Sequence, residues 1–451
     1  MPNQPVTASQ WPSTKLGWYV AILLTIGYAY SFIDRQIINL LVEPIRADLE
    51  ISDTQISFLQ GFAFAITYVV MSIPIGRIVD LFNRTLVLSI GTAIYVVSTF
   101  LCGLSTTYTQ LLVARLGLGF GEASVTPASW SMLADYFPPD KLTRPVSILL
   151  MGPYIGAGLS LMIGGEIYMW AEAMGGITVP YFGEMRPWQI TFFAVALPGF
   201  LVLLLIATIP DPPRLQGGKA LTEHEPVNWK EVRMHLSSNS RIYGALLLGV
   251  PGVVVTLYGL QAWVPSFLDR VHGWDRGQIG AVYGLVSLIA GSAGVLSGPT
   301  LAGILRKMGY LDAPLRLTVF ATLATLLSVI CIPLMPTPMS SMIFIGLASF
   351  SVTVQFAPVT TSLQIVTPNK MRGVVAGMYV VTVNLIGLGL GPTLVAASTD
   401  YIFGDPKAVG YSLALAAAVS TPFALIFLYR GLKPFQILVE DMEKREATER
   451  T

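Results

Sequence analysis

Apolar residues fall into runs of about 20, the length a helix needs to cross a bilayer core of about 30 Å, separated by short polar segments. Twelve such runs can be marked, at 18–41, 56–76, 86–104, 110–137, 145–167, 188–209, 241–267, 279–303, 316–335, 338–366, 374–397 and 411–429. An even number returns both chain ends to one side. The longest polar break, 210–240, is rich in Pro, Gly and charge and reads as a linker between a six-helix half at 1–209 and another at 241–429, with a polar tail at 430–451. Inside the break, Trp229, Val232 and Leu236 recur at helical spacing beside Lys230 and Arg233. That pattern predicts either a short amphipathic helix on the membrane surface or a plain solvated linker.

Composition agrees: 53% of residues are hydrophobic and only 12% charged, against about 25% charged in soluble domains. The expected class is therefore an all-α membrane protein of twelve transmembrane helices in two pseudo-symmetric six-helix bundles. The net charge of +1 offers nothing to nucleic acid. Cys102 and Cys331 lie in different apolar runs, which supports neither a disulfide framework nor a metal site. One lysine precedes a first run longer than a signal-peptide core, so the N-terminus reads as a first helix rather than a cleaved leader. Of 27 basic residues, 20 fall in segments on the side of the termini and five on the other, with Arg35 and Arg115 left inside the membrane. By the positive-inside rule both termini are cytoplasmic, and the plasma (inner) membrane is the expected location.

Charge inside the apolar runs points to function, because each such residue costs about 2.5–3.5 kcal/mol on insertion scales. The stretch 111–144 holds Arg115 and Glu122, seven residues apart and so on one helix face. The first run holds Asp34 and Arg35, adjacent and pointing about 100° apart. Depth along the helices pairs Asp34 with Arg115 and lets Arg35 reach toward Glu122, giving a cluster of zero net charge. Such charges line an ion or substrate pathway, or merely tie the bundle together. The second half instead offers Tyr258, Gln261, Trp263, Tyr283, Gln355 and Asn384 as polar groups for a substrate.

The halves resemble each other. GRIVDLFNR (76–84) and GPTLAGILRK (298–307) each set a glycine eight residues before an arginine, and PDKLTR and PNKMR recur in the matching later loops, ending at Arg144 and Arg372. Such duplication marks many secondary transporters. Glycines at 117, 119 and 121, repeated at 387, 389 and 391, lack the strand and soluble context of a nucleotide loop and predict close helix packing.

GRIVDLFNR resembles the inner-loop signature of the major facilitator superfamily, with Leu81 and Asn83 replacing its middle Arg and second Gly. The resemblance implies the major facilitator fold and an inner gate of Gly76, Asp80, Arg84 and Arg144; Ala302 stands where the second copy would carry the aspartate. The bland reading gives these charges a topological role only. GPYIGAG (152–158) resembles part of an antiporter signature, and a glycine-proline kink accounts for it equally.

FIDRQ (32–36), DLFNR (80–84), ARLGLGFGEAS (114–124), LADYFPPDKLTR (133–144) and AWVPSFLDR (262–270) together resemble the Spinster branch of that superfamily. This implies proton-linked movement of lysolipid- or sphingolipid-like amphiphiles, with Asp34, Arg35, Arg115 and Glu122 as the polar network. Glu122 is expected to carry the proton, with Asp34 second, and Arg35 and Arg115 to meet an anionic head group. The expected partners are a small amphiphile or organic anion, protons and the bilayer, with no cofactor and a monomeric chain. A sugar-acid carrier of the same superfamily is the alternative. A membrane-embedded enzyme is the rival class, but His224, His235 and His272 are all expected in loops and no HExxH or GxSxG occurs.

Overall fold

The computed structural model describes residues 12–138, 141–179, 183–212, 229–368 and 371–449. Arg214, Lys219, Lys370 and Arg450 of the charge tally, His224 and most of the 210–240 linker lie outside them. Among the described residues eleven helices are long and apolar enough to cross a membrane. They are spans 1 (Thr14–Leu40), 2 (Asp53–Leu81), 3 (Arg84–Leu104), 5 (Arg144–Ala173), 6 (Pro187–Ala207), 7 (Ser240–His272), 8 (Arg276–Lys307), 9 (Ala313–Leu334), 10 (Pro338–Val366), 11 (Arg372–Phe403) and 12 (Pro406–Arg445). The twelfth expected run, 110–137, is present as span 4 but broken. Tyr108–Glu122 and Val125–Tyr136 meet at Ala123 and Ser124, as Pro338–Thr353 and Phe356–Val366 of span 10 meet at Val354 and Gln355, and in span 4 Arg115 and Glu122 lower the apolar character as well. The break directly follows Glu122.

Elsewhere the chain is nearly all helix. A short helix, Val42–Leu49, follows span 1, and a two-stranded antiparallel hairpin of β1 (Ile177–Val179) and β2 (Gly183–Met185) separates spans 5 and 6, pairing Ile177 with Met185. The linker contains the helix Trp229–Ser238, so this segment is helical as its spacing predicted. Span 12 belongs to a helix that continues to Glu449, through residues expected as a polar tail.

Two compact units result, one of residues 1–50 with 66–226 and the other of 51–65 with 227–451. Helix packing within each rests on small residues. In the first unit, a Cβ on Gly121 would lie 2.5 Å from the Gly91 carbonyl and one on Gly117 2.6 Å from Ser98 Oγ, so spans 3 and 4 touch through backbone. In the second, a Cβ on Gly387 or Gly391 would lie 2.6 Å from Val254 or Val255 of span 7. The GLGFG and GLGLG repeats are packing surfaces, as their spacing implied. The core of the second unit is mostly aliphatic, with Val250, Val254, Leu315 and Leu428 buried beside the rings of Tyr243 and Phe435.

Candidate functional site

Span 1 carries Asp34 and Arg35, and span 5 holds it in place. Gly152, Gly156, Ser160 and Gly164, four residues apart, form a stripe of small residues facing span 1. A Cβ on Gly156 would sit 2.0 Å from the Ala29 carbonyl, Ser160 Oγ donates to the Ile33 carbonyl at 2.8 Å, and Gly164 faces the tip of Ile37. Gly152 and Gly156 of GPYIGAG are therefore contact residues. Backbone-to-backbone approach of this kind leaves the register of span 1 little freedom.

On that fixed helix Arg35 forms a buried ion pair with Glu122. Ser31 Oγ, 3.4 Å from the same Glu122 oxygen, adds a hydrogen bond. The Arg35 guanidinium also lies over the Phe32 ring, 4.4 Å from its centroid, and 5.9 Å from that of Tyr68. Phe32 is three residues before Arg35, a helical spacing that could have been read from the sequence; Tyr68 gives no such signal.

Arg115 does not make the expected pair with the Asp34 carboxylate. Its guanidinium donates to the main-chain carbonyls of Asp34 at 3.2 Å and Arg35 at 3.3 Å. A planar fork with five N–H donors can span two successive carbonyls, which keep a second lone pair inside a helix. Asp34 is fully buried, and neither carboxylate oxygen accepts a hydrogen bond. The nearby hydroxyls of Tyr30 and Thr99 donate elsewhere, to the carbonyls of Val195 at 2.7 Å and Tyr95 at 3.0 Å.

The inner-loop residues separate. Asp80 is exposed, Arg144 is exposed at the start of span 5, and a Cβ on Gly76 would meet nothing within 4 Å, so in this structure Gly76 serves no close helix approach. Arg84 is buried and engaged inside the first unit. It pairs with Asp135 at the end of span 4 and with Asp211 at 3.0 Å, and donates to the Pro212 carbonyl. Asn83, where the signature has glycine, caps span 3 by accepting from the Leu86 amide at 2.8 Å.

In the second unit, Trp263 is buried and donates to the Pro392 carbonyl at 2.9 Å, Tyr283 is buried 3.5 Å from the Leu260 carbonyl, and Gln355 donates to the Val352 carbonyl at 3.0 Å. These three serve packing inside the unit. Asn384 bonds back to the Val380 carbonyl, and with Tyr258 and Gln261 it is half-buried. Sequence reasoning missed a bidentate pair in this unit, Arg270 to the fully buried Asp53 at 2.7 Å through both nitrogens. Asp400 next to it accepts from Thr54 N and Oγ1 at 2.7 and 2.6 Å.

The Major Facilitator Superfamily pattern matches residues 24–392. The chain belongs to that superfamily. As a superfamily member it is an integral membrane transporter and not an enzyme. It is similar to an MFS-type efflux pump of Mycolicibacterium smegmatis, 26% identical over 90% of each chain. It is also similar to protein spinster homolog 3 of Danio rerio, 24% identical over 96% of this chain and 88% of the relative. Among solved structures it shares the fold of a bacterial homologue of the human lysosomal transporter Spinster, crystallised inward-facing and unoccupied. The TM-score there is 0.75 at 24% identity, over 96% of this chain and 99% of that one. The major facilitator fold and the Spinster resemblance read from the motifs stand on these matches.

Proposed function

We propose that this superfamily member is a proton-coupled secondary transporter working by alternating access, and that it moves an amphiphile of lysolipid or sphingolipid type, or a related organic anion. The observation that supports this reading is the setting of Arg35. A buried guanidinium held by a carboxylate and flanked by two aromatic faces can exchange that carboxylate for an anionic head group without facing bare hydrocarbon. Protonating Glu122 would release Arg35 to substrate, and deprotonation would reclaim it. One arginine would thus couple two ligands.

Asp34 takes a larger part than the sequence ranking gave it. Burial without a hydrogen bond is costly for a carboxylate and much less so for the acid, so Asp34 is the group suited to hold a proton while Glu122 stays with Arg35. Arg115, spent on carbonyls, would set the shape of span 1 and not bind the head group. Tyr258, Gln261 and Asn384 remain candidates for substrate contact on the second unit, and Asp80 for an inner latch. Both termini are placed on the cytoplasmic face of the plasma membrane.

The test is uptake into proteoliposomes under an imposed pH gradient, using a lysophospholipid, a sphingoid phosphate and a hexuronate as probes. We expect one of the amphiphiles to be carried. Glu122→Gln should keep binding but lose proton-driven flux, and Arg35→Ala should weaken binding more than Arg115→Ala. Transport of the hexuronate alone would favour the sugar-acid alternative. Flux that ignores the pH gradient would refute proton coupling, and equal binding losses at the two arginines would refute their division of labour.

A further inference from the structure

The linker helix Trp229–Ser238 presents Trp229, Val232, Arg233, Leu236 and Ser237 on one face, at positions i, i+3, i+4, i+7 and i+8. Across from that face lie the first turns of span 7, including Leu247 and Leu248, with Met378 of span 11. Between them runs a groove of about 660 Å³, open along one side and lined almost wholly by apolar atoms. The helix is pinned rather than loose. Val232 is buried, and His235 Nε2 lies 3.0 Å from Tyr243 Oη and 3.2 Å from the Val366 carbonyl. Nothing in the charged site uses this groove.

We propose that it holds an acyl chain of an anionic phospholipid from the leaflet on the basic side of the protein, with the lipid phosphate at Arg233. Three observations converge on that occupant. The volume falls within the range of about 300–1,000 Å³ usual for ligand sites. The open side suits lateral entry from a bilayer. Arg233 is exposed at the groove, with Lys230 and Arg241 exposed close by in the chain, and Glu231 is the acid on this helix among the described residues. A soluble anion would have no use for apolar walls, and a neutral chain no use for the arginine. Trp229 and Met234, both largely exposed on a ten-residue helix, also fit the headgroup boundary, where tryptophan concentrates.

Trp229 supplies its own probe. The full-length protein would be reconstituted with lipids brominated on the acyl chain, either phosphatidylglycerol or phosphatidylcholine. The difference in fluorescence between wild type and Trp229→Phe isolates the Trp229 signal. We expect that signal to be quenched at about fivefold lower mole fraction of the brominated anionic lipid than of the zwitterionic one, the effect of one basic residue near an anionic surface. Arg233→Gln should abolish the preference and Arg233→Lys should keep most of it. Arg233 is exposed, so neither change threatens folding. Equal quenching by the two lipids, unchanged in Arg233→Gln, would overturn the proposal. So would no quenching by either, since some other occupant would then fill the groove.

Discussion

The Arg35–Glu122 pair allows a quantitative test. Unit charges about 4 Å apart in an effective dielectric of about 20 attract by about 4 kcal/mol, which helps repay the cost of burying both. Removing one partner leaves the other charged and buried, at a cost of about 3–5 kcal/mol. Glu122→Gln should sit at the lower end, because the amide oxygen can still accept from Arg35 and Ser31 and the rings of Phe32 and Tyr68 still face the cation. Arg35→Gln should sit at the upper end, because it strands a carboxylate near Ser31 alone among these partners. The double variant Arg35→Gln/Glu122→Gln has no charge left to strand and should lose no more than about 1 kcal/mol. Independent sites add to within about 0.5 kcal/mol, whereas single losses of about 3 and about 5 kcal/mol against about 1 kcal/mol for the double imply a coupling of about 7 kcal/mol, of the sign that makes the double variant better than the sum. Reversible unfolding by SDS titration in mixed micelles measures it. Additive losses would mean that the ion pair contributes nothing specific, and the exchange of Glu122 for substrate at Arg35 would lose its basis.

Other outcomes follow from the same geometry. Asp34→Asn should leave stability unchanged or raise it in the same titration, since the carboxylate accepts no hydrogen bond, yet proton-driven flux should fall. Gly156→Ala places a methyl 2.0 Å from the Ala29 carbonyl and should cost about 1–3 kcal/mol by forcing spans 1 and 5 apart, whereas Gly76→Ala, with open space around it, should cost nothing. Arg84→Gln should destabilise the protein by about 3–5 kcal/mol, because Asp135 and Asp211 lose their buried cation, while Asp80→Asn at an exposed site should leave folding intact and alter only the labelling of inner-rim cysteines. The inner-gate role that the motif implies for Arg84 is thus joined by a structural one, whose loss costs stability.

The four charged residues of the site were legible because hydrocarbon makes charge conspicuous: Asp34, Arg35, Arg115 and Glu122 lie well inside otherwise apolar runs of the first half, whereas Asp135 and Glu166 fall at the ends of theirs. Their pairing was legible only in part. Helical depth placed Arg35 within reach of Glu122, but it could not show that Arg115 would prefer two carbonyls to a carboxylate. That choice depends on the direction in which each side chain leaves its helix, which no local pattern encodes. Contacts between distant segments carry no local signal. Arg84 meets Asp135 and Asp211 across 51 and 127 residues, and Arg270 meets Asp53 across 217. The break in span 4 was hidden for another reason: Ala123 and Ser124 suit a helix well enough that periodicity runs straight through them.

Comparing the two units shows which features belong to the shared frame and which to function. Arg84 and Arg306 occupy matching places in the duplicated loops. Each reaches the chain at or beyond the last helix of its own unit, Arg84 to Asp211 after span 6 and Arg306 to Glu443 in the extension of span 12. Each also donates to a loop carbonyl, that of Pro212 or Leu311. The arginine therefore ties the junction of the second and third helices to the chain at or beyond the sixth in both halves, a task that needs no aspartate four residues earlier, and so Ala302 is tolerated where the first copy has Asp80. Small-residue packing repeats as well, with Gly156 of span 5 against span 1 and Gly391 of span 11 against span 7. The frame is shared but the buried chemistry is not. Behind Gly156 the first unit places Asp34, Arg35 and Glu122, whereas behind Gly391 the second places valines, Gly259 and Tyr258. Since the packing is common to both, the Asp34–Arg35–Glu122 cluster is not required to build a six-helix unit, whose second copy buries the Arg270–Asp53 pair instead, and its place on span 1 is what the proposed exchange at Arg35 needs.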